Sequence, residues 1–218
     1  MKKVIKLNFL LIFFLFSTIL RSQTSDEVIT FRYGFIGQKE VDQDSLFSIS
    51  DGSILQSGDQ IKLNFDFEKG TWFYVVTLSK EGEYGMLFSS SSQDTEETGH
   101  IFTSLEWQNL DPGNKPELFT LISSKSQLKK LEDLFVKYEN AKGRSKKRFH
   151  KRIRIQLEKL QKFDPKETKE KLVQRLEKPV IGGVTYRGMI EGVIMEQSLT
   201  HTSSGKGVAI TNIHISVK

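Results

Sequence analysis

The residues best suited to chemistry in this sequence are cations, and they are concentrated in one short stretch. Residues 142–154 (KGRSKKRFHKRIR) contain eight Lys and Arg and no acidic residue. Guanidinium and ammonium groups bind phosphates, sulfates and carboxylates. The sequence therefore predicts a patch for an anionic partner, and its members are Arg144, Lys146, Lys147, Arg148, Lys151, Arg152 and Arg154.

Several kinds of partner would neutralise this positive charge. If the stretch is helical, it offers no acidic residue at i+4 to relieve repulsion, so the isolated helix is weakened and a compensating partner is expected. That partner is a protein, another part or copy of this chain, an anionic membrane surface or another envelope polyanion. Nucleic acid fits the charge, but the export predicted below argues against it. A basic face that is merely solvated is the alternative.

Other reactive residue types lack the spacing that chemistry needs. The four histidines, His100, His150, His201 and His214, include no pair at metal-ligand spacing. The serines at 89–92 lie in no G-x-S-x-G turn, and the acids at 94–97 lack a calcium-loop pattern. The glycine-rich stretches at 182–188 and 203–207 contain no phosphate-loop motif. We therefore expect no catalytic residues, no metal and no cofactor.

Trp72 and Trp107 are the two tryptophans. Both fall in or beside segments predicted to be strands, where a core or sheet-face position is the simplest interpretation. The alternative is a candidate aromatic surface that serves as a platform for carbohydrate or peptide, since an exposed indole is common at binding surfaces.

Residues 1–22 have the pattern of an export signal. Three lysines, Lys2, Lys3 and Lys6, precede an apolar run over residues 9–20, which is too short for a comfortable membrane span and suits a signal-peptide core. Cleavage is predicted between Ser22 and Gln23, with an uncleaved anchor as the alternative. We expect a periplasmic, outer-envelope or secreted bacterial protein. The chain has no Cys, which excludes lipid attachment, disulfides and thiolate chemistry.

Removing this segment changes how the charge is interpreted. The whole chain carries +5, with an isoelectric point near 9.2, and loses four cations with residues 1–22, which leaves +1. Residues 125–178 hold 19 Lys and Arg against 8 Asp and Glu, a net charge of +11. The rest of the exported chain therefore carries about −10. The basic isoelectric point thus indicates one basic segment, not a basic protein.

The elements that position these residues are strands on either side of the basic segment. IKLNFDF at 61–67 alternates strictly, and TWFYVVTL at 71–78 follows a short Gly-containing turn, so we predict an antiparallel hairpin. EYGMLF at 83–88 extends it to a meander. Further strands are predicted at 28–35, 101–107, 117–124 and 208–217, with additional strand character at 184–194 and a turn at 203–207.

Between these strands the apolar period becomes helical. Leu128, Leu131, Leu134, Phe135 and Tyr138 form one stripe, and a second continues through Phe149, Ile153, Leu157 and Leu160. Ser124 and Gln127 have capping-box spacing before the first stripe. Asp164 and Pro165 predict a third, short helix with Leu172 on its apolar side. The expected fold class is α+β: an antiparallel β-sandwich-like sheet domain, residues 23–218, with a basic two- to three-helix insert at 125–178 before the C-terminal strands.

Residues 55–135 resemble a bacterial family of unknown function, numbered 4384. The similarity is carried by Gly58-Asp59, by WFYVVTLSKEGEYGMLF at 72–88 and by PELFTLISSKSQL at 116–128. It covers a little over a third of the chain, and four serines follow Phe88 where the family usually has Pro or Asn. The resemblance implies a small β-rich accessory module with no established catalytic residues.

We therefore expect an exported, non-catalytic binding or accessory module of the bacterial cell envelope that contacts an anionic partner through its basic helix. Two alternatives are an exported hydrolase whose site is assembled only in three dimensions, and a binder of anionic lipid or another polyanion.

Overall fold

The structure is a computed structural model that describes residues 28–41, 46–90, 99–163, 171–172 and 198–218. Two helices, α1 (Lys129–Glu139) and α2 (Gly143–Phe163), separate most of the strands from the last three. The strands are β1 (Val28–Gln38), β2 (Leu46–Ile49), β3 (Ser53–Leu55), β4 (Gln60–Glu68), β5 (Trp72–Leu78), β6 (Tyr84–Ser89), β7 (His100–Ser104), β8 (Gln108–Asn109), β9 (Glu117–Ser124), β10 (Lys171–Leu172), β11 (His201–Lys206) and β12 (Val208–Val217).

The strands form two sheets. Sheet I has the order β10-β11-β1-β4-β7, with β2 also paired to β1 and β8 to β4. Sheet II has the order β3-β12-β9-β5-β6. Every pairing is antiparallel except that of β3 with β12, which is parallel. The α+β class expected from the sequence is thus confirmed: the described residues are mostly sheet, with two helices.

One apolar cluster takes side chains from both sheets. Ile61, Leu63, Phe65 and Phe67, the apolar side of the alternating run in β4, are all buried in it, as the alternation predicted. Sheet II contributes Phe73 from β5, whose ring lies 4.8 Å from that of Phe65. Burial of several aromatic rings at one place removes a large apolar area from water and holds the two sheets together.

The predicted hairpin between β4 and β5 is wrong. Although only three residues separate them, β4 pairs with β1, β7 and β8 in sheet I, whereas β5 pairs with β6 and β9 in sheet II. The chain crosses between the sheets at Gly70, whose φ of +77° favours glycine. Crossing lets Phe67 and Phe73 approach the shared cluster from opposite sides, which a flat hairpin would not allow. The hairpin of β5 with β6 was predicted correctly.

The two helices cover the other side of sheet II. The predicted stripes are confirmed, because Leu131, Phe135, Ile153 and Leu157 are buried in a second apolar cluster, together with Tyr74 and other residues of sheet II. The predicted capping box is wrong: Leu128 is the N-cap of α1 and provides no side-chain cap. The Ser124 hydroxyl instead donates to the carbonyl of Ser126, and the backbone N–H of Leu128 donates to the Tyr74 hydroxyl.

The predicted third helix falls mostly outside the described residues. Where the structure does describe it, the prediction is wrong, because Lys171–Leu172 form β10 and pair with Thr202 and His201 of β11. The predicted turn at 203–207 is shorter than expected, since β11 continues to Lys206 and only Gly207, with φ +73°, turns the chain. The predicted export signal at 1–22 and the strand character at 184–194 also lie outside the described residues.

Candidate functional site

Among the described residues, helix α2 packs against the protein by one side only. Ile153, Leu157 and Leu160 are buried among residues of α1 and sheet II. These positions recur at steps of four and three, so they share one face of a helix. The side chains on the other face of α2 are therefore directed toward solvent.

The solvent side of α2 carries the cations that the sequence singled out. At 100° per residue, Arg144, Lys147, Arg148 and Lys151 lie opposite Ile153, with Arg152 beside them. All five side chains are exposed. We call this group, Arg144, Lys147, Arg148, Lys151 and Arg152, the basic face. The structure thus brings five of the seven predicted patch residues onto one surface.

The basic face is electrostatically uncompensated. Within the part of the chain that the structure describes, no carboxylate lies within ion-pair distance of its five members. Glu158 is the one acidic residue of α2, and it faces Arg154 at 3.6 Å. The first turn of α2 has no acidic residue, although the partial positive charge at a helix N-terminus favours one. An anion near this face would thus be stabilised by both the side chains and the helix.

Phe149 holds two members of the face in place. The guanidinium carbons of Arg148 and Arg152 lie 5.4 and 6.0 Å from the centre of its ring. Contacts of this kind are worth about 0.5–1 kcal/mol at exposed sites. The half-buried ring also packs against the helix cluster. The two guanidinium groups are therefore partly ordered before any partner arrives.

Lys146 is set apart from the basic face. Its ammonium forms an ion pair with Glu83 and lies 5.1 Å above the ring of Tyr138. Tyr138 also donates a hydrogen bond to Glu83, at 2.5 Å. Hydrogen bonds from Lys146 and Tyr138 hold the pKa of the Glu83 carboxyl below its usual value. Burial, followed by the Glu83 carboxylate, raises the pKa of Tyr138 to about 12.

A cleft of about 420 Å³ lies beside this trio, where α2 begins. The ring of His150 forms one wall, and its Nε2 donates to the carbonyl of Gly82 at 2.9 Å. Lys147 belongs to both the cleft and the basic face. The exposed cations therefore continue from the solvent face of α2 to the edge of a concave surface.

The two tryptophans do not form a common surface. Trp72 is half-buried against the helix cluster on sheet II. Trp107 is half-buried beside sheet I, and the ammonium of Lys62 lies 5.9 Å from the centre of its ring. The two indoles thus lie on different sheets, and no described helix packs on Trp107.

A buried ionic group that the sequence did not indicate lies on sheet I. Asp66 is fully buried, and its carboxylate accepts hydrogen bonds from Arg32 at 2.7 Å and from His100 Nδ1 at 3.1 Å. Asp51 accepts from His214 Nδ1 at 2.9 Å in the same way, but both side chains are about half exposed. No sequence signal marks these pairs, because each acid is distant from its histidine along the chain.

The described residues contain no cluster of three or more His, Asp or Glu that could hold a metal ion. His150 and His201 also have partners, the latter stacked 5.1 Å from Tyr33. The predicted acids at 94–97 and the serines at 91–92 lie outside the described residues, whereas Ser90 accepts a hydrogen bond from the backbone of Phe73. None of the helices described is long and apolar enough to span a membrane.

Comparison with known proteins provides no relative. No family model, no curated protein and no solved structure matches this chain.

Proposed function

We propose that this protein is an exported, non-catalytic binding module of the bacterial cell envelope that contacts a polyanionic partner through the basic face of α2. In this proposal residues 23–218 form one β-sandwich-like domain, and the helices are a basic insert between its strands. The resemblance of residues 55–135 to the accessory family numbered 4384 is itself part of this proposal, since no family model matches the chain.

The observation that carries the proposal is the basic face itself. Five exposed cations occupy fewer than three turns of one helix, and none has a carboxylate partner among the described residues. Clusters of this density attract polyanions through many weak contacts that depend on salt. Among the described residues, two carboxylates pair with cations of this helix: Glu83 with Lys146, and Glu158 of α2 itself with Arg154.

The arrangement costs stability, which argues for a role in binding. Arg144 with Arg148, Lys147 with Lys151, and Arg148 with Arg152 are like charges four residues apart. Each such pair destabilises a helix by about 0.2–0.5 kcal/mol. Because burial of the opposite side holds α2 in place, this repulsion persists in the folded protein and is relieved when an anion binds.

The test compares two double charge reversals with the same change in net charge. Lys147→Glu/Lys151→Glu alters the basic face, whereas Lys129→Glu/Lys130→Glu alters exposed positions at the start of α1. We expect the wild-type protein and the α1 variant to elute from immobilised heparin at similar salt concentrations. We expect the α2 variant to elute much earlier, because its contacts with the sulfates are lost.

Vesicles distinguish a membrane partner from other polyanions. Co-sedimentation with phosphatidylglycerol vesicles at low salt, without co-sedimentation with phosphatidylcholine, would identify an anionic lipid surface as one partner. The proposal fails if heparin does not retain the wild-type protein, or if the two double variants elute equally early.

A further inference from the structure

Three amide side chains lie in one row across sheet I. Gln38 of β1 is paired directly with Gln60 of β4, and Gln60 is paired directly with Asn109 of β8. Residues directly opposite each other in antiparallel strands project from the same face of a sheet. Ile61, the next residue of β4, is buried between the sheets. The amide row therefore lies on the outer face of sheet I.

The amide row lines a small cleft. Its volume is about 270 Å³, and Lys39, Glu40 and Gly58 are the other described residues that line it. This is close to the lower limit of about 300 Å³ for small-molecule sites, which suits a ligand of one ring. The amides of Gln60 and Asn109 form no hydrogen bond within the described part of the chain. Each can therefore donate and accept toward a ligand at the same time.

Gly58 shapes one wall of this cleft. A Cβ at this position would lie 2.0 Å from Oε2 of Glu40, and its φ of +93° also favours glycine. The absence of a side chain lets the Glu40 carboxylate approach the backbone here. Among the described lining residues Lys39 and Glu40 carry opposite charges, so this part of the lining has no net charge. A neutral ligand fits it better than an anion.

An aromatic ring lies near the cleft, outside its described lining. Trp107 immediately precedes β8, and its ring lies 5.9 Å from the ammonium of Lys62, which is two residues after Gln60 on the same face of β4. An indole surface packs against the C–H side of a sugar ring, and neighbouring amides bond its hydroxyls as donors and acceptors.

We propose that this cleft binds one ring of a neutral glycan, with Gln60 and Asn109 bonding its hydroxyl or acetamido groups and Trp107 packing against its edge. The inference is independent of the basic face, which lies on the opposite side of the molecule. Sheet I carries the cleft on the face turned away from sheet II, and α2 covers the face of sheet II turned away from sheet I.

The test is calorimetric titration of the full exported chain with cellotetraose and with chitotetraose. We expect saturable binding of at least one tetrasaccharide, with a Kd near or below about 1 mM. Gln60→Ala and Asn109→Ala should each weaken it about tenfold, since each removes a ligand hydrogen bond. Trp107→Phe should remove the ligand-induced change in tryptophan fluorescence. Gln127→Ala removes an exposed amide near α1 and should bind like wild type.

The thermal midpoint and the heparin elution of each variant show whether a loss of glycan binding is caused by the cleft or by a folding defect. Because Gln60 and Asn109 are remote from α2, heparin retention should not change. The inference is overturned if the wild-type chain shows no saturable binding of either tetrasaccharide, or if Gln60→Ala and Asn109→Ala bind like wild type.

Discussion

Asp66 and Asp51 are chemically alike but differ in burial. Each carboxylate bonds the Nδ1 of a histidine at about 3 Å, and Asp66 is fully buried whereas Asp51 is more than half exposed. A buried carboxylate has lost its water and depends entirely on its protein partners. An exposed one regains water when a partner is removed.

Replacing the two acids should therefore have unequal effects. Asp66→Asn should lower the free energy of unfolding by about 2 kcal/mol, because the buried amide loses the carboxylate charge and offers one oxygen where Arg32 and His100 each bond a separate one. Asp51→Asn should lower it by less than about 1 kcal/mol. Urea unfolding at neutral pH measures both values, and equal losses would show that burial of Asp66 is not what gives this carboxylate its importance.

The cations of the site were predictable residue by residue, but their partners were not. A dense run of Lys and Arg is visible in any sequence, and the helical period separates Ile153 and Leu157 from the exposed positions. The pairing of Lys146 with Glu83 was not predictable, because it joins a helix to a turn before a distant strand. The same holds for Asp66 and His100, which meet only through the register of β4 with β7.

The positive charge in the first turn of helix α2 lowers the stability of the helix. Arg144 lies where the helix dipole favours an acid, and it repels Arg148 one turn later. A helix selected only for stability would have the opposite sign at this position.

The variant Arg144→Glu tests this conflict directly. It should raise the free energy of unfolding by about 0.5 kcal/mol, through the dipole and a new pair with Arg148. It should also weaken retention on heparin. Lys162→Glu makes the same change in charge in the last turn, where the dipole favours a cation, and should be destabilising. A loss of stability in Arg144→Glu would contradict this account of α2.

Strand positions followed from local patterns, whereas strand partners did not. Alternation placed β4 and β12, and a nearly continuous apolar run placed β9, within a few residues of their observed bounds, because all three strands contribute to the apolar cluster. The short turn at Gly70 predicted a hairpin, yet it joins the two sheets. A turn of three residues is compatible with a hairpin and with a crossing between sheets. Which of the two forms depends on whether Phe67 and Phe73 lie on one face of a sheet or meet across a core.

At the scale of the whole molecule, charge is divided between two regions. The segment 125–178 is strongly basic, whereas residues 23–124 and 179–218 together are acidic. Association between copies through these opposite charges would weaken with added salt, as would binding of any polyanion. Glycan binding in the cleft of sheet I should change little with salt, because the described residues of the cleft lining include one cation and one anion.

Export is also tested on the whole chain. Produced in a bacterial host with residues 1–22 present, the protein should be recovered outside the cytoplasm with Gln23 as its first residue. Intact-mass measurement of each cell fraction checks both the compartment and the cleavage site. Recovery of the full-length chain from the cytoplasm alone would contradict the proposed location in the cell envelope.

The last two strands, β11 and β12, pair with strands from much earlier in the sequence, which has a consequence for synthesis. β11 pairs with β1 in sheet I, and β12 lies between β3 and β9 in sheet II. Sheet I is therefore incomplete until β11 has left the ribosome, and sheet II until β12 has. Contacts between residues so distant in sequence form slowly. The nascent chain therefore lacks its complete core until β12 has been synthesised, and a chain in that state can still pass through a narrow translocation channel.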